Sequence, residues 1–278
     1  MPRIPTKVAA RITAGIKRFQ PILVSAKARD VNESDTVVIV ADLLQEVFGY
    51  DKYSEITSEH LIRGTYCDLA VKIDGALAFL VEVKAIGLDL KESFVKQAVD
   101  YAANQGIEWV VLTNGILWRA YKIGFAKPIS NELVLDLNLS TTNTRSEADL
   151  DLVFLLSKEG WQRSKIGEYH SQKEALSRFS IAALLMSDPV TETIRRELRR
   201  LTPGVRVELE DVRVVLENEV LKRDVLEGDK AATAKRLVSR SAGKPLRQSK
   251  SNGASDRLPA GDYGAVISAE AEGDEHGA

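Results

Sequence analysis

Cysteine and histidine are scarce in this sequence. Its 278 residues include one cysteine, Cys67, and three histidines that lie far apart along the chain. A single cysteine excludes an intramolecular disulfide and a zinc site built from several cysteines. The scattered histidines, His60, His170 and His276, argue against a histidine-rich metal centre.

Long apolar runs and a strong net charge are also missing. The composition, with 44% hydrophobic and 28% charged residues, is typical of a soluble globular protein. No apolar run approaches the length that a membrane span requires. A formal net charge of −2 provides no global attraction to nucleic acid, so any DNA-binding surface must be local. We expect a cytoplasmic protein of one large or two small domains.

Basic residues dominate the beginning of the chain. Residues 1–29 contain seven basic residues and no acid, but they lack the apolar core of a secretory signal. Because Pro5, Gly15 and Pro21 interrupt this segment, residues 1–30 are predicted to form one or two short basic helices that lead into the main domain. We interpret the charges as a solvated face. Contact with DNA phosphates or with a partner is the alternative.

The stretch from Asp68 to Lys84 is predicted to form two β-strands around a turn at Asp74-Gly75. Apolar residues occupy every second position in both strands. The run before Glu82 is apolar on both sides of the pleat, which indicates a strand that is covered on both faces. Asp68, Glu82 and Lys84 point away from the alternating apolar set. Charges in such a place cost several kcal/mol unless they are paired or bound to a metal.

Burial should decide the register of this hairpin. A strict two-residue turn would pair Asp68 with Val81 and would place Asp68 and Glu82 on opposite faces. A register shifted by one residue pairs apolar residues with one another: Ile73 with Leu77, Val71 with Phe79, and Leu69 with Val81. We predict the shifted register, which requires an odd-length loop or a bulge and which puts Asp68 beside Glu82.

Two carboxylates and a lysine on one sheet face suit the hydrolysis of phosphodiesters. Asp68 and Glu82 can hold Mg²⁺ or Mn²⁺, because hard divalent cations prefer oxygen ligands. The cation polarises the scissile phosphate and lowers the pKa of a bound water. Lys84 can orient or deprotonate the attacking water and neutralise charge in the transition state. The alternative is an ordinary acid–lysine pair on a solvated sheet face.

A helix is predicted to begin at Asn32 and to end near Phe48. Asn32 is a good N-cap, and Asp35 can return the hydrogen bond as in a capping box. Gly49 suits the C-terminal end of the helix. Glu33 lies at the edge of the buried stripe and is our candidate for a third metal-binding carboxylate. Alternatively, Glu33 only complements the helix dipole.

A second helix is predicted from Asp89 to Gln105, closed by Gly106. Gln97 lies within its apolar stripe, one turn before Tyr101. A buried glutamine needs a hydrogen-bond partner, so both side chains are predicted to face the site or a phosphate. The alternative is a glutamine that reaches solvent. Further strands are predicted at Glu55–Ile62, Trp109–Thr113, Ile116–Ile123 and Glu132–Leu139.

No β-strand is predicted after about residue 145. Residues 145–227 are predicted to form a helical region with four helices: Ala148–Ser157, Gln172–Met186, Pro189–Leu201 and Val207–Leu226. This region is expected to mediate homodimerisation or to dock a protein partner. Small and charged residues dominate from residue 228, so residues 228–278 are predicted to form a disordered tail.

Several motifs occur in order and at suitable spacing: Asn32-Glu33-Ser34-Asp35-Thr36, Asp68, Glu82-Val83-Lys84, Gln97-Ala98-Val99-Asp100-Tyr101 and Leu112-Thr113-Asn114-Gly115. The ordered set resembles the N-terminal nuclease domain of type I restriction endonuclease R subunits, within the PD-(D/E)xK nuclease superfamily, over roughly residues 31–123. The resemblance implies an α/β fold, with a restriction-endonuclease-like mixed sheet flanked by helices, over residues 31–142. It also implies Mg²⁺-dependent cleavage of DNA.

The resemblance assigns roles to the acidic and basic residues of the motifs. By position, Asp68 and Glu82 would bind the metal, and Lys84 would be the catalytic lysine. Glu33 would match the acidic residue of the first helix and would complete the metal-binding set.

The resemblance also assigns roles to Gln97 and Tyr101, which would match the family's Gln-x-x-x-Tyr element. Gln97 would then belong to the catalytic set, and both residues would contact DNA. The chain departs from the family in two respects. Cys67 precedes Asp68, where the superfamily's name has a proline, and no Gly-x-x-x-x-Gly-Lys-Ser/Thr loop is present, so ATP-driven translocation is not expected of this chain.

Three functions of different classes fit these features. The leading one is a DNA endonuclease, stand-alone or recruited by a partner, that acts in restriction or defence against foreign DNA. The second is a nuclease-fold module that holds nucleic acid or protein without cutting, against which the intact Asp/Glu/Lys set argues. The third is an interaction protein built on the helical half of the chain.

Overall fold

The computed structural model describes residues 4–62, 65–126 and 128–241, without the side chains of residues 59–62, 65, 66 and 97. The chain forms two compact units, and the boundary between them falls between Ile166 and Gly167. The first unit contains a β-sheet with its flanking helices. In the described part of the second unit, the regular structure is helical.

The first unit contains five helices and six strands within the described residues. They are α1 (Thr6–Ala28), α2 (Glu33–Glu46), β1 (Ile56–Ile62), β2 (Thr65–Ile73), β3 (Ala76–Val83), α3 (Glu92–Gln105), β4 (Trp109–Thr113), β5 (Leu117–Gly124), β6 (Ser130–Asn138), α4 (Glu147–Leu156) and α5 (Lys158–Gln162). Helix α6 (Lys165–Ala175) begins at the end of this unit.

The six strands form one mixed sheet in the order β1-β2-β3-β4-β5-β6. Strands β3 and β4 are parallel and are connected through α3, whereas the other neighbouring strands are antiparallel. This arrangement confirms the predicted mixed sheet flanked by helices. Because α3 connects two parallel strands, its N-terminus lies at the edge of the sheet where β3 and β4 end.

Helices cover both faces of the sheet around β3. One face packs against α3, and the shared apolar core includes Leu80 and Leu112. On the opposite face, Phe79 contacts Tyr50, which follows α2, with ring centroids 5.7 Å apart. The last five residues of β3 are buried, as predicted for a strand that is covered on both sides.

The N-terminal segment forms one continuous helix of 23 residues, α1. A single helix was one of the two predicted possibilities, but the predicted interruption at Gly15 and Pro21 is wrong. Pro21 lies inside the helix with an exposed ring, and Gly15 lies on the buried face. The buried stripe extends past both residues and includes Ile12 and Leu23, which are fully buried. Burial of this stripe outweighs the cost of an interior proline, about 3 kcal/mol.

Gly15 permits a close approach between α1 and the end of α2. A Cβ atom at Gly15 would lie 2.8 Å from Val47 Cγ2 and 3.1 Å from the Glu46 carbonyl oxygen. We expect Gly15→Ala to lower the free energy of unfolding by about 1–2 kcal/mol, because overpacking exceeds the gain in helix propensity. Gly167, in α6, has open space around it. The matched variant Gly167→Ala should raise the unfolding free energy by up to about 1 kcal/mol. Chemical denaturation of both variants checks the pair, and equal signs would contradict this interpretation.

The β2–β3 hairpin has the predicted register in the half that carries the acids. Leu69 pairs with Val81 and Val71 pairs with Phe79. Continuing the antiparallel ladder by one residue places Asp68 opposite the residue that follows Val81, which is Glu82. The prediction that burial selects this register is confirmed.

The turn end of the hairpin differs from the prediction in one pair. Ile73 pairs with Ala76 rather than with Leu77, across a tight turn in which Asp74 and Gly75 have φ values of 52° and 81°. A bulge between Val71 and Lys72 then shifts the register by one residue. The predicted bulge is therefore present, and it lies inside the strand pair, where it reconciles the favoured two-residue turn with the apolar pairing.

In the second unit the predicted Pro189–Leu201 helix is confirmed, whereas the predicted Gln172–Met186 and Val207–Leu226 helices are divided into shorter ones. Within the described residues, the helices after α6 are α7 (Arg178–Leu185), α8 (Asp188–Leu201), α9 (Leu209–Val215), a π-helical turn (Leu216–Val220), α10 (Arg223–Leu226) and α11 (Gly228–Ser241). The predicted Gln172–Met186 helix is interrupted at Ser177, whose hydroxyl accepts a hydrogen bond from the Ser180 N–H and caps the start of α7.

Helix α11 corrects the prediction that disorder begins at residue 228. Its small residues Ala231 and Ala234 are buried, and the Lys230 ammonium lies 6.0 Å from the ring centroid of Phe179 in α7. The helix therefore packs with alanines rather than with large apolar residues, and the composition of the segment conceals this. The rest of the predicted tail, residues 242–278, lies outside the described residues.

Within the described residues, no helix combines the length and the apolar character that crossing a bilayer requires.

Candidate active site

The candidate site lies at the edge of the sheet where β3 ends. Glu82 is on the α3 side of β3, because it alternates with Val81 and shares the side of Leu80. Asp68 reaches this side from β2. Glu33 is contributed by the first turn of α2. The structure therefore brings together four residues that lie far apart in the sequence: Glu33, Asp68, Glu82 and Lys84.

Lys84 links the acids of the site. Its Nζ lies 2.9 Å from Glu82 Oε1 and 3.5 Å from Glu33 Oε2. The side chains of Lys84 and Glu82 are only 16% and 9% exposed, whereas that of Glu33 is 47% exposed. The two buried charges compensate one another, and Glu33 closes the group from the solvent side.

Asp68 is fixed by the backbone of the neighbouring strand. Its Oδ2 accepts a hydrogen bond of 2.7 Å from the Val83 N–H. Within the described part of the chain, the second carboxylate oxygen of Asp68 and that of Glu82 accept no hydrogen bond. Buried Glu82 and half-buried Asp68 therefore each have one oxygen held by the protein and one that can bind a cation. This donor set fits a hard divalent ion such as Mg²⁺ or Mn²⁺.

Burial sets the electrostatics of the two acids. It raises the pKa of Glu82, and the negative charge of Asp68 adds to this effect, while the hydrogen bond from Lys84 opposes it. Burial also raises the pKa of Asp68, against the hydrogen bond from Val83. For Lys84, burial acts to lower the pKa, but the nearby Glu82, Glu33 and Asp68 outweigh it and raise the pKa. The Lys84 ammonium therefore stays charged. An additional positive charge near Asp68 and Glu82 would stabilise the ionised forms of both acids.

Cys67 lies beneath the site and is chemically protected. It is 1% exposed, and its Sγ lies 3.2 Å from the Val81 carbonyl oxygen. Burial raises the pKa of its thiol to about 12, and the nearby Glu82 and Asp68 act in the same direction. We therefore interpret Cys67 as a small packing residue.

The state of Cys67 gives a measurable expectation. At pH 8 the thiol should be protonated and inaccessible, so an aromatic disulfide reagent should label the native protein far more slowly than the unfolded protein. Labelling should accelerate as denaturant unfolds the first unit. Rapid, complete labelling of the native protein at pH 8 would contradict the described burial.

Thr36 holds the start of α2 against the segment that follows β3. Its Oγ1 donates a hydrogen bond of 2.7 Å to the Asn32 carbonyl oxygen and accepts one of 3.2 Å from the Ile86 N–H. The Asn32 side chain caps the helix by accepting a hydrogen bond from the Asp35 N–H, as predicted. These contacts fix the helical turn from which Glu33 reaches Lys84.

Asn114 fixes the same segment from the other side. Its Nδ2 donates to the Leu88 carbonyl oxygen at 2.8 Å and to that of Ile86 at 3.4 Å. Its Oδ1 accepts from the Ile116 and Leu117 N–H groups at 3.1 and 2.8 Å. One buried amide therefore ties the β4–β5 turn to the chain that leaves Lys84.

Sequence reasoning did not assign these two positioning roles. Thr36 and Asn114 both occur in the quoted motifs, but only the contacts reveal what they hold. The available signal was a polar residue on an otherwise apolar helix face for Thr36, and an Asn-Gly pair after a buried strand for Asn114.

The structure describes only one of the two site side chains predicted on α3, Gln97 and Tyr101. Gln97 belongs to α3, but its side chain lies outside the described residues, so its predicted role stays a prediction. Tyr101 is 5% exposed within the core under α3. Burial raises the pKa of its hydroxyl, with a further contribution from Cys67. Its predicted contact with DNA stays a prediction, and its buried position favours an effect exerted through the residues that it packs against.

Comparison with known proteins agrees with the motifs. Residues 24–137 match the family described as Type I restriction enzyme R protein N terminus (HSDR_N). The matched segment contains α2, α3 and strands β1–β5, together with nearly all of β6. The resemblance inferred from the motifs is thereby confirmed for this part of the chain. No curated protein and no solved structure matches the chain.

Proposed function

We propose that the chain is a metal-dependent DNA endonuclease with a role in restriction or defence. The observation that carries the proposal is the juxtaposition of Asp68, Glu82 and Lys84 at the end of β3, with Glu33 closing the group. The family match over residues 24–137 supports a nuclease or restriction role.

The roles of the residues follow from their positions. Asp68 and Glu82 would hold Mg²⁺ or Mn²⁺ through their uncommitted oxygens, with Glu33 as a third, more exposed ligand. The bound cation would supply Lewis-acid polarisation of the phosphate and a more acidic water. Burial of the two acids keeps their geometry fixed and strengthens their attraction for a cation.

Lys84 is expected to act on the reacting groups directly. Its ammonium is held between Glu82 and Glu33, and its raised pKa keeps it charged near neutral pH. A charged ammonium at this place can orient the attacking water and stabilise the negative charge that develops on the phosphate. It cannot accept a proton while it is charged, so we assign it positioning and charge stabilisation rather than the role of general base.

A plasmid assay tests the proposal. Purified protein should convert supercoiled plasmid to nicked or linear DNA with Mg²⁺ or Mn²⁺ and should leave it intact with a chelator. Salt-dependent binding without cleavage under any of these metal conditions would instead favour the nuclease-fold binding module. Neither cleavage nor binding would point to an interaction protein.

A further inference from the structure

The basic residues of α1 and its C-cap fall into two groups in the structure. Arg11 pairs with Glu159 and Arg18 pairs with Glu46, so these two arginines hold the fold together. Lys7, Lys17, Lys27 and Arg29 are exposed, and each forms no ion pair with any described residue. Only four of the cations described in this segment are therefore available to a ligand.

Two of these four lie at the edge of the sheet that carries the candidate site. The end of α1 approaches this edge closely: a Cβ atom at Gly115, in the β4–β5 turn, would lie 3.5 Å from Leu23 Cδ2. A side chain at Gly87, three residues after Lys84, would collide with the carboxylate of Asp30. Arg29 directly precedes Asp30, and Lys27 lies in the last turn of α1, three residues before it. Both residues therefore lie beside the segment that leaves the site.

Lys91 lies at the same edge from the other side. It is the N-cap residue of α3, which starts where the segment that follows β3 ends. Its side chain is exposed and forms no ion pair among the described residues. We define Lys27, Arg29 and Lys91 as the basic rim. Lys7 lies at the other end of α1, and Lys17 lies at its middle.

We propose that the basic rim binds the sugar-phosphate backbone of duplex DNA on both sides of the carboxylate site. The inference rests on the proposed function and extends it to the residues that hold the substrate. It follows from the position of three unpaired cations around a group that would act on phosphodiesters, within a chain whose net charge gives no global attraction to DNA.

The acids of the same edge make this binding depend on a divalent cation. Glu33, Asp68 and Glu82 carry negative charge toward the approaching phosphates, and Asp30 and Asp35 are exposed nearby. Without a bound cation, the negative charge of these carboxylates repels the phosphates that the basic rim attracts. DNA affinity should therefore rise when Ca²⁺, which takes the same kind of oxygen ligands as Mg²⁺, is added.

Salt-dependent binding separates the rim from other surface cations. Binding of the full chain to a labelled duplex is measured in Ca²⁺ at several salt concentrations, for Lys27→Gln/Arg29→Gln and for the control Lys7→Gln/Lys17→Gln. Each double variant removes two exposed positive charges. In the rim variant one charge comes from α1 and one from its C-cap, and in the control both come from α1. Removing one cation that binds a phosphate should lower the slope of log K against log salt by about 0.9. The slope should therefore fall by about 2 for the rim variant and by about 1 for Lys91→Gln, and the control should match the wild-type protein.

The outcomes distinguish this inference from the proposed function. Equal slopes for the rim variant and the control, or no binding by the wild-type protein at low salt, would overturn the rim. Plasmid cleavage in Mg²⁺ by the same samples tests the function separately. If the slopes differ as expected but no sample cuts DNA, the DNA-binding role of the basic rim is supported and the proposed endonuclease activity is contradicted. If the wild-type protein cuts while both double variants bind alike, the endonuclease stands and the rim fails.

Discussion

Replacing Glu82 by glutamine is expected to slow Mg²⁺-dependent DNA cleavage by about a thousandfold or more. The two side chains have almost the same size, so packing on the α3 side of β3 should change little. The substitution removes one charge from the metal-binding pair and weakens both the binding of the cation and its action on the phosphate, which together contribute several kcal/mol. At about 1.36 kcal/mol per decade, this corresponds to three or more decades in rate.

The stability of the Glu82→Gln variant should not fall with its activity. In the metal-free protein, burial and the charge of Asp68 both disfavour ionised Glu82. The variant removes this repulsion, and Lys84 keeps Glu33 as an ion-pair partner at 3.5 Å. The free energy of unfolding at neutral pH should therefore be equal to or slightly above that of the wild-type protein.

The comparison needs an acid outside the site as its control. Glu108 is exposed and directly precedes β4, at the sheet edge opposite the candidate site. Glu108→Gln should cut plasmid at the wild-type rate under the same Mg²⁺ concentrations. DNA affinity of Glu82→Gln should hold or rise because one negative charge is lost near the phosphates. Cleavage by Glu82→Gln at the wild-type rate would show that the site is assigned to the wrong residues.

Replacing Lys84 by methionine is expected to reduce cleavage by about a hundredfold to a thousandfold and also to destabilise the metal-free protein. Loss of a preorganised charge near a reacting phosphate has effects of this size on rate. The destabilisation arises because Glu82, 9% exposed at its side chain, would lose its 2.9 Å partner. Breaking a buried pair costs about 3–5 kcal/mol, and we expect about 2 because Glu82 can take up a proton.

The destabilisation of Lys84→Met should depend on pH in a defined direction. The pKa of Glu82 is already raised by burial, and removing Lys84 should raise it further. A folded-state pKa above the unfolded value, about 4.3, means that the folded protein binds more protons in the interval between the two. Its stability relative to wild type should therefore fall as pH rises through that interval and recover as pH falls back toward 4.

Denaturation at several pH values, together with plasmid cleavage, tests Lys84→Met. Lys84→Arg provides the control because it keeps the positive charge but not the compact ammonium geometry. It should restore most of the stability while leaving cleavage reduced. Lys84→Met with wild-type stability at pH 7 would contradict the buried ion pair described between Lys84 and Glu82.

The β2–β3 hairpin shows which features of the fold and of the candidate site can be predicted from the sequence. Alternating apolar residues predicted both strands, and burial predicted the register that places Asp68 beside Glu82. The position of the bulge between Val71 and Lys72 could not be predicted, because an odd-length loop would satisfy the same apolar pairing. Local periodicity thus specifies faces and register, while the choice between loop and bulge depends on turn geometry.

Other parts of the fold depend on tertiary contacts that the local sequence does not encode. Helix α1 continues through Gly15 and Pro21 because its buried stripe packs along its whole length. Residues 228–241 form a helix because alanines fit against α7. The supporting roles of Thr36 and Asn114 depend on backbone groups from distant segments. In each case the stabilising contact comes from a distant part of the chain, so local propensity alone predicts a different structure.

Locating Mn²⁺ in crystals of the full chain tests most directly whether Asp68 and Glu82 hold the divalent cation. Crystals soaked in Mn²⁺ should give an anomalous peak at coordination distance, about 2.0–2.6 Å, from a carboxylate oxygen of each acid. Crystals of Glu82→Gln treated alike should lose or weaken this peak. A peak at another group of residues in the wild-type crystals, with none between Asp68 and Glu82, would contradict the assignment.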